Sequence, residues 1–265
     1  MKIKIKLFYI LAAVMVLAGV ASCQKDKDHE ELSNMRRAGV WNPDVKISKV
    51  YCHEPSSENL YLEEEWIWDD NKLKELRFWR SYLTYTYQDD RLYRADEYDG
   101  DKLVSSWVYY YDRTSLSKIE WFANGALAGI YEFDYEVGKI SSIRSETYVK
   151  RGGQFVYSFT WEGENIISCK CFRQFNGSEP VTRTYDFTYD SYNNPFYGAF
   201  EFYFPTMIYG LVDSPLLLSK NNIVKMNNSV GNNSVYSDKY NDKGYPVIKY
   251  RGDSSPQYSY EYLGD

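Results

Sequence analysis

The chain predicts an all-β fold: a long antiparallel meander of about 14–16 strands, built from repeated hairpins and curled into a barrel-like sheet, with an apolar insertion as plug or lid. Three observations carry that expectation. The first is a recurring phrase: an aromatic, any residue, an aromatic, four turn-like residues, then usually a large apolar residue. It runs from Trp66-Ile67-Trp68 to Leu73, Tyr85-Thr86-Tyr87 to Leu92, Tyr109-Tyr110-Tyr111 to Leu116, Phe133-Asp134-Tyr135 to Ile140 and Phe159-Thr160-Trp161 to Ile166. Phe187-Thr188-Tyr189 opens a sixth copy, and Lys239-Tyr240 to Tyr245 is a degenerate seventh. The second is spacing. The second aromatics fall at 68, 87, 111, 135, 161, 189 and 240, and a period near ~25 residues marks a repeated supersecondary unit. The third is turn chemistry at Asp69-Asp70-Asn71, Asp99-Gly100-Asp101, Asn124-Gly125, Gly152-Gly153, Asn176-Gly177 and Asp242-Lys243-Gly244. Such residues accept the positive φ of tight hairpins.

Each unit is therefore a hairpin. Its first strand alternates aromatic and polar, as in Tyr157 to Trp161 and Tyr185 to Tyr189; its second follows the turn, as in Leu73 to Arg80 and Ile140 to Val149. Alternation with aromatic and β-branched residues argues half-buried strands. So long a sheet curls, splits or closes, and closure removes its edges. A barrel that wide is not filled by wall side chains alone. Water, a ligand or part of the chain has to occupy it. One face carries Tyr85, Tyr87, Tyr131, Phe133, Tyr135, Tyr258, Tyr260 and Tyr262. The other carries Thr86, Glu132, Asp134, Ser158, Thr160, Asp186, Thr188, Ser259 and Glu261. Strict alternation puts charge on both faces of Lys72–Arg80: Lys72, Lys74 and Arg80 on one, Glu75 and Arg77 on the other. That favours a soluble sheet over a membrane-spanning barrel, whose outer band is apolar.

Residues 1–22 read as a lipoprotein signal peptide. Lys2, Lys4 and Lys6 precede the apolar run Leu7 to Val20, which is shorter than the ~20 residues of a membrane span. The run ends in Val20-Ala21-Ser22-Cys23. This is similar to a bacterial lipobox, which implies cleavage before Cys23 and lipidation of its thiol. Residues 23–44 form a charged flexible tether that begins Gln24-Lys25-Asp26-Lys27-Asp28-His29-Glu30-Glu31. It has no apolar periodicity. An acid-rich stretch placed there resembles the surface-export signals of Bacteroides-type lipoproteins. The resemblance implies a lipid-anchored, surface-exposed protein of the outer membrane, the alternative being a periplasm-facing one.

Residues 45–265 form a single repeat-built β domain. Val45 to Tyr51 is its first strand. Cys169 and Cys171 lie two apart on a strand and face one side. Either can reach Cys52 to form one disulfide, or all three are small buried residues. His53 is the one histidine outside the tether. Neighbours on a strand point to opposite faces, so Cys52 and His53 do not form a nucleophile–base pair.

After the sixth phrase the register breaks. Tyr192-Asn193-Asn194-Pro195-Phe196 opens an insertion of about 196–234 that holds Phe200, Phe202, Phe204, Met207, Ile208, Leu211 and Leu216 to Leu218. Strand chemistry resumes near Ile223-Val224. A free surface loop of this composition would be a large sticky patch. The insertion is therefore expected in the lumen or mouth as a plug, with a lid over a ligand cavity as the rival.

The Tyr-x-Tyr-Asp-like hairpins, Asn193-Asn194-Pro195-Phe196, Leu218-Ser219-Lys220-Asn221-Asn222 and the closing Tyr258-Ser259-Tyr260-Glu261-Tyr262 resemble a family of uncharacterised Bacteroides-type outer-membrane lipoproteins. That family has a porin-like β fold and is distantly similar to Tyr-Asp (YD) repeat proteins. The resemblance covers nearly all of the chain after about residue 45, and it brings no catalytic residues with it. True Tyr-Asp pairs are few here, Tyr111-Asp112, Tyr185-Asp186 and Tyr189-Asp190 among them.

Composition narrows the function. The 31 basic residues, less the three signal lysines, leave 28 against 37 acidic ones, a formal charge of −9. Nucleic acid, which needs a basic footprint, is not an expected partner. No glycine-rich phosphate loop joins a strand to a helix, and no cofactor or metal is expected. Acidic turns such as Asp69-Asp70, Asp89-Asp90 and Asp96 to Asp101 read as solvated. The 28 tyrosines suit cross-strand pairing or a wet, sugar-binding surface. Trp66, Trp68, Tyr109, Tyr111, Trp121 and Trp161 are the candidate ligand contacts. The expectation is a non-catalytic binding lipoprotein, held to the membrane by its lipid anchor, that binds a glycan or an outer-membrane partner. The alternatives are a self-plugged accessory protein and, third, a hydrolase with dispersed carboxylates.

Overall fold

A computed structural model describes residues 45–54, 59–149, 152–207, 214–252 and 255–264. The signal segment, Cys23 and the tether lie outside the described residues. The strands in order are β1 (Ile47–His53), β2 (Leu60–Asp69), β3 (Lys72–Phe78), β4 (Ser81–Gln88), β5 (Arg91–Asp99), β6 (Lys102–Asp112), β7 (Ser115–Ala123) and β8 (Ala126–Glu136). They continue as β9 (Lys139–Thr147), β10 (Gly153–Glu162), β11 (Asn165–Phe175), β12 (Val181–Asn193), β13 (Asn221–Asn228), β14 (Asn233–Tyr240), β15 (Pro246–Arg251) and β16 (Ser255–Tyr262). All sixteen form one closed barrel, each beside its sequence neighbour, with β1 antiparallel to β16.

The recurring phrase is a device of one rim. Its second aromatic lies beside the turn and donates its ring N–H or hydroxyl to a backbone carbonyl of the previous unit. Trp68 Nε1 reaches Ile47 O at 2.8 Å, Tyr87 reaches Leu73 O at 2.7 Å, and Tyr111 reaches Leu92 O at 2.9 Å. Tyr135 reaches Leu116 O at 2.9 Å, Trp161 reaches Ile140 O at 2.8 Å, and Tyr189 reaches Ile166 O at 2.5 Å. The acceptor is each time the apolar residue that closes the preceding phrase, or Ile47 at the start. A cation just before that residue often lies over the same ring: Lys46 over Trp68, Lys72 over Tyr87, Arg91 over Tyr111 and Lys139 over Trp161, at 5.0–5.7 Å. Both fixed positions of the phrase thus have one cause, the stapling of successive hairpins.

The return strands depart from strict alternation. Ile47 and Val50, Leu73 and Leu76, Leu92 and Ala95, Leu116 and Ile119, Ile140 and Ile143, and Ile166 and Cys169 are all buried although three apart. A register shift at the second aromatic explains it, as between Ile67 and Trp68, Thr86 and Tyr87, and Asp134 and Tyr135. A β-bulge inserts one unpaired residue and brings positions i and i+3 to one face. Hence the charges of β3 do not divide between faces as strict alternation requires. Leu73 and Leu76 point inward, while Lys72, Lys74 and Arg77 are exposed.

The outer wall is hydrophilic along these strands. Arg144 pairs with Glu132 and Asp134, and Lys118 with Glu120. The apolar outer band of a membrane-spanning barrel is not what they present. The aromatic face is inside: Tyr85, Tyr109, Tyr131, Phe133, Tyr157, Phe159, Tyr185, Phe187, Tyr260 and Tyr262 are buried. Among the described residues no helix is long and apolar enough to cross a membrane, which bears on helices alone.

The insertion between β12 and β13 forms α1 (Phe200–Tyr203), a 3₁₀ turn (Phe204–Met207) and α2 (Ser214–Leu218). It ends at Lys220, not near Ser234. Asn221 to Asn228 already pairs with Tyr185 to Asn193 as β13; an asparagine-rich run of low β-propensity is held in the sheet by that pairing. The insertion packs inside as a plug. Phe202 meets Tyr85 edge-on at 5.5 Å, Phe204 meets Tyr131 at 4.7 Å, and Phe200 meets Phe133 at 6.0 Å. Tyr85 and Tyr109 donate to the carbonyls of Phe202 and Glu201, both in α1. Buried Asn194 clamps the plug ends: its Nδ2 donates to Leu216 O and Ser219 O, and its Oδ1 accepts from Phe196 N.

Candidate functional site

The plug does not fill the lumen. Between it and the wall of β1, β2 and β12 to β16 lies a chamber of about 460 Å³, within the size range of small-molecule sites. Its walls are mostly apolar: Val50, Phe187, Ile223 and Met226 from strands, and Phe196, Met207, Leu216 and Leu217 from the plug. Tyr203, Tyr236, Tyr258 and Tyr260 add amphipathic rings, and Glu63, Glu64, Thr206, Lys249 and Gln257 add polar groups. Glu63 and Thr206 are exposed and stand where the chamber meets solvent.

Closure of the barrel assembles this chamber. Val50 of β1 lies opposite Tyr260 of β16 on one side and Glu64 of β2 on the other. A register shift beside Val50 leaves Glu63 unpaired in the ladder. A bulge there lets two consecutive glutamates reach the same space, which plain alternation forbids.

Glu64 and Lys249 are the two deep ionisable groups. Glu64 accepts at Oε2 from Tyr203 of the plug and from Trp66 Nε1 at 3.1 Å. Burial outweighs these two bonds and, with the nearby Glu63, pushes its carboxyl up to about 7. Lys249 has its ammonium 5.0 Å over the Tyr236 ring. Burial lowers its pKa; Asp238 and Asp190 oppose that. Neither aspartate lines the chamber. Asp190 accepts from Tyr240 and from Asn222 N. Asp238 sits opposite Lys249 across the β14–β15 ladder, with Oδ1 buried and unpartnered among the described residues. Burial raises the Asp238 pKa.

The six aromatics expected as ligand contacts are placed elsewhere, and none lines this chamber. Trp68, Tyr111 and Trp161 spend their polar atoms on the rim staples. Tyr111 also donates to Glu201 Oε2, and Tyr109 to the Glu201 carbonyl. Trp66 is buried among Trp68, Phe196 and Tyr203. Trp121 is buried, with Nε1 unpartnered among the described residues. Sequence reading selected large aromatics; the chamber instead takes its polar groups from Glu64 and Lys249. One signal was present: Tyr236-Ser237-Asp238-Lys239-Tyr240 sets an acid in phase with the inward tyrosines.

Cys52, Cys169 and Cys171 are free thiols, and the last two are buried. Burial and the neighbouring Cys171 push the Cys169 thiol up to about 12, away from nucleophilic use. His53 Nε2 lies 2.7 Å from Ser259 Oγ. Among the described residues no group of three or more His, Cys, Asp or Glu is placed to hold a metal.

No family model and no curated protein matches the chain. Two solved structures resemble it. A porin-like protein from Bacteroides vulgatus ATCC 8482 aligns over 84% of this chain and 100% of its own, at 9% identity and a TM-score of 0.47. A porin-like protein from Bacteroides uniformis ATCC 8492 aligns over 82% and 96%, at 10% identity and a TM-score of 0.47.

Proposed function

We propose that the protein is a non-catalytic envelope barrel that binds a small ligand in its lumenal chamber. The observation that carries this reading is the chamber itself: a plug that seals one part of the lumen yet leaves about 460 Å³ lined by both apolar and ionisable groups. An accessory barrel whose sole content is its own plug has no need of a deep lysine and glutamate facing open space, since buried charge costs stability. Lipid anchoring at Cys23 and an outer-membrane address belong to this proposal, supported by the signal-like segment and the lipobox-like Val20 to Cys23. A glycan is the other ligand class to screen, and a partner protein in the outer membrane the other role.

The test is a melting-temperature screen of the full chain against oligosaccharides, peptides and small organic acids, because a native-state ligand stabilises by mass action. Met226→Trp, which fills the chamber, is the control. A ligand that raises the wild-type midpoint and leaves the variant unmoved supports the chamber. A ligand that raises both binds elsewhere, and a screen without any shift sends the search to protein partners.

Hydrolysis is the second reading, and one observation favours it. Glu63 and Glu64 both line the chamber, and Glu64 keeps its proton to about pH 7, as a general acid does. Against it, Glu64 Oε2 is committed to Tyr203 and Trp66. Turnover of a glycoside panel that disappears in Glu64→Gln would establish the enzyme and displace the binding reading.

A further inference from the structure

The chamber presents one cation without an ionic partner. Lys249 lines it. Among the described residues it makes no hydrogen bond and no ion pair; its contact is the Tyr236 ring face. Asp238 lies opposite Lys249 on β14, and with Asp190 of β12 it favours the charged form of the ammonium without an ion pair to it. The side chain is half-buried in the wall, so a ligand that enters the chamber meets an ammonium whose donors are not committed to a carboxylate.

The glutamates that line the chamber do not pair with it. Glu64 holds Tyr203 and Trp66 at Oε2. Glu63 stands at the solvent end on β2, three strands from β15 round the closed wall, about 14 Å at the usual strand spacing. Its charge is screened by water there. Beside Lys249 stand the rings of Tyr236 and Tyr258. One point charge, with no arginine fork or cluster of main-chain donors, suits a singly charged acceptor better than a phosphate.

We propose that the chamber binds a small organic acid, its carboxylate accepting hydrogen bonds from Lys249 and its apolar body lying against Phe187, Ile223 and Met226. This rests on the reading of the chamber as a ligand site and gives that site its ligand class. The volume admits an aromatic or short aliphatic acid of ordinary small-molecule size.

The experiment titrates the full chain with phenylbutyrate, phenylbutanol and phenylbutylamine, three compounds of one skeleton, by calorimetry and by melting temperature. The acid is expected to bind about 10- to 100-fold tighter than the alcohol, and the amine weakest, as loss of a charged hydrogen bond implies. Lys249→Met is expected to melt cooperatively, to lose that preference and to keep the weak binding of the alcohol. Equal binding of acid and alcohol, or tightest binding of the amine, overturns the organic-acid inference and leaves the chamber as a ligand site. Unchanged acid binding by Lys249→Met does the same. Failure of all three compounds to bind overturns this inference, and the wider ligand screen then decides the fate of the chamber. The comparison of the three compounds on wild-type protein requires no variant, so it decides even where Lys249→Met does not fold.

Discussion

Round the wall from β3 to β11 inward rings pack solidly on the plug, and from β12 through β16 to β1 and β2 the lumen holds the chamber. The first sector carries the regular phrases. Its inward residues, Tyr85, Tyr131 and Phe133, meet Phe202, Phe204 and Phe200 of the plug ring against ring. The second sector is where the phrase degenerates, and there inward positions pass to Met226, Tyr236, Asp238 and Lys249. Repetition supplies identical hairpins that close and pack. Loss of repetition supplies the unlike groups that a ligand can distinguish.

The sharpest way to break that contrast is to remove the plug. Replacing Gly198–Leu217 with a short linker takes away the rings that fill the solid sector, so the chain is expected to lose its cooperative melt in circular dichroism. A shortened protein that still melts as one unit would make the insertion a lid. Single truncations come next in size. Phe204→Ala on the solid side is expected to cost about 3–5 kcal/mol in urea unfolding, as for a fully buried Phe. Met226→Ala on the chamber side, where the side chain already faces open space, is expected to cost less than about 2 kcal/mol. Equal losses would mean that the two sectors are packed alike.

How much of this was legible follows the same division. Hairpins, closure, inward aromatics and a plugging insertion were readable because each repeats or is strongly apolar. The inward pairs such as Leu73 and Leu76 were not, because alternation assumes an unbroken ladder and bulges break it at Trp68, Tyr87, Tyr135, Trp161 and Tyr189. The signal for them was present as apolar residues three apart after each turn. β13 falls within the expected insertion bounds because its strand signal is short, Ile223-Val224 between Asn221-Asn222 and Asn227-Asn228. The chamber was illegible for a different reason. Val50, Glu64 and Tyr260 become neighbours when β1 meets β16, and no local pattern announces a contact between chain ends.

Glu64 gives a pH-dependent test at the seam between the sectors. Its folded pKa, about 7, lies above the ordinary 4.5 because burial disfavours the anion. The protonated form is therefore the stabilising one. That contribution is complete below about pH 4.5 and is lost as pH rises to about 7. Wild-type protein should thus lose up to about 3 kcal/mol more than Glu64→Gln between pH 4.5 and pH 7, by linkage. Urea melts of both proteins at the two ends of that window measure it. Parallel pH profiles would show that Glu64 is solvated like a surface carboxylate and that its tie to Tyr203 does not hold the plug.

The smallest effect concerns what the two sectors share. Tyr135 in the solid sector donates to Leu116 O at 2.9 Å, and Tyr262 beside the chamber donates to Pro246 O at 2.5 Å. Both are staples from an inward tyrosine to an earlier strand, and each phenylalanine variant removes one hydroxyl while keeping the ring. Each is expected to cost about 1 kcal/mol, the usual net value of such a bond. Since the acceptors are backbone carbonyls on either side of the lumen, the two losses should agree even though the space beside them differs. A much larger loss at Tyr262 would mean that the rim depends most on its staples where the plug packs least, and the contrast between the sectors would then extend from their contents to the wall itself.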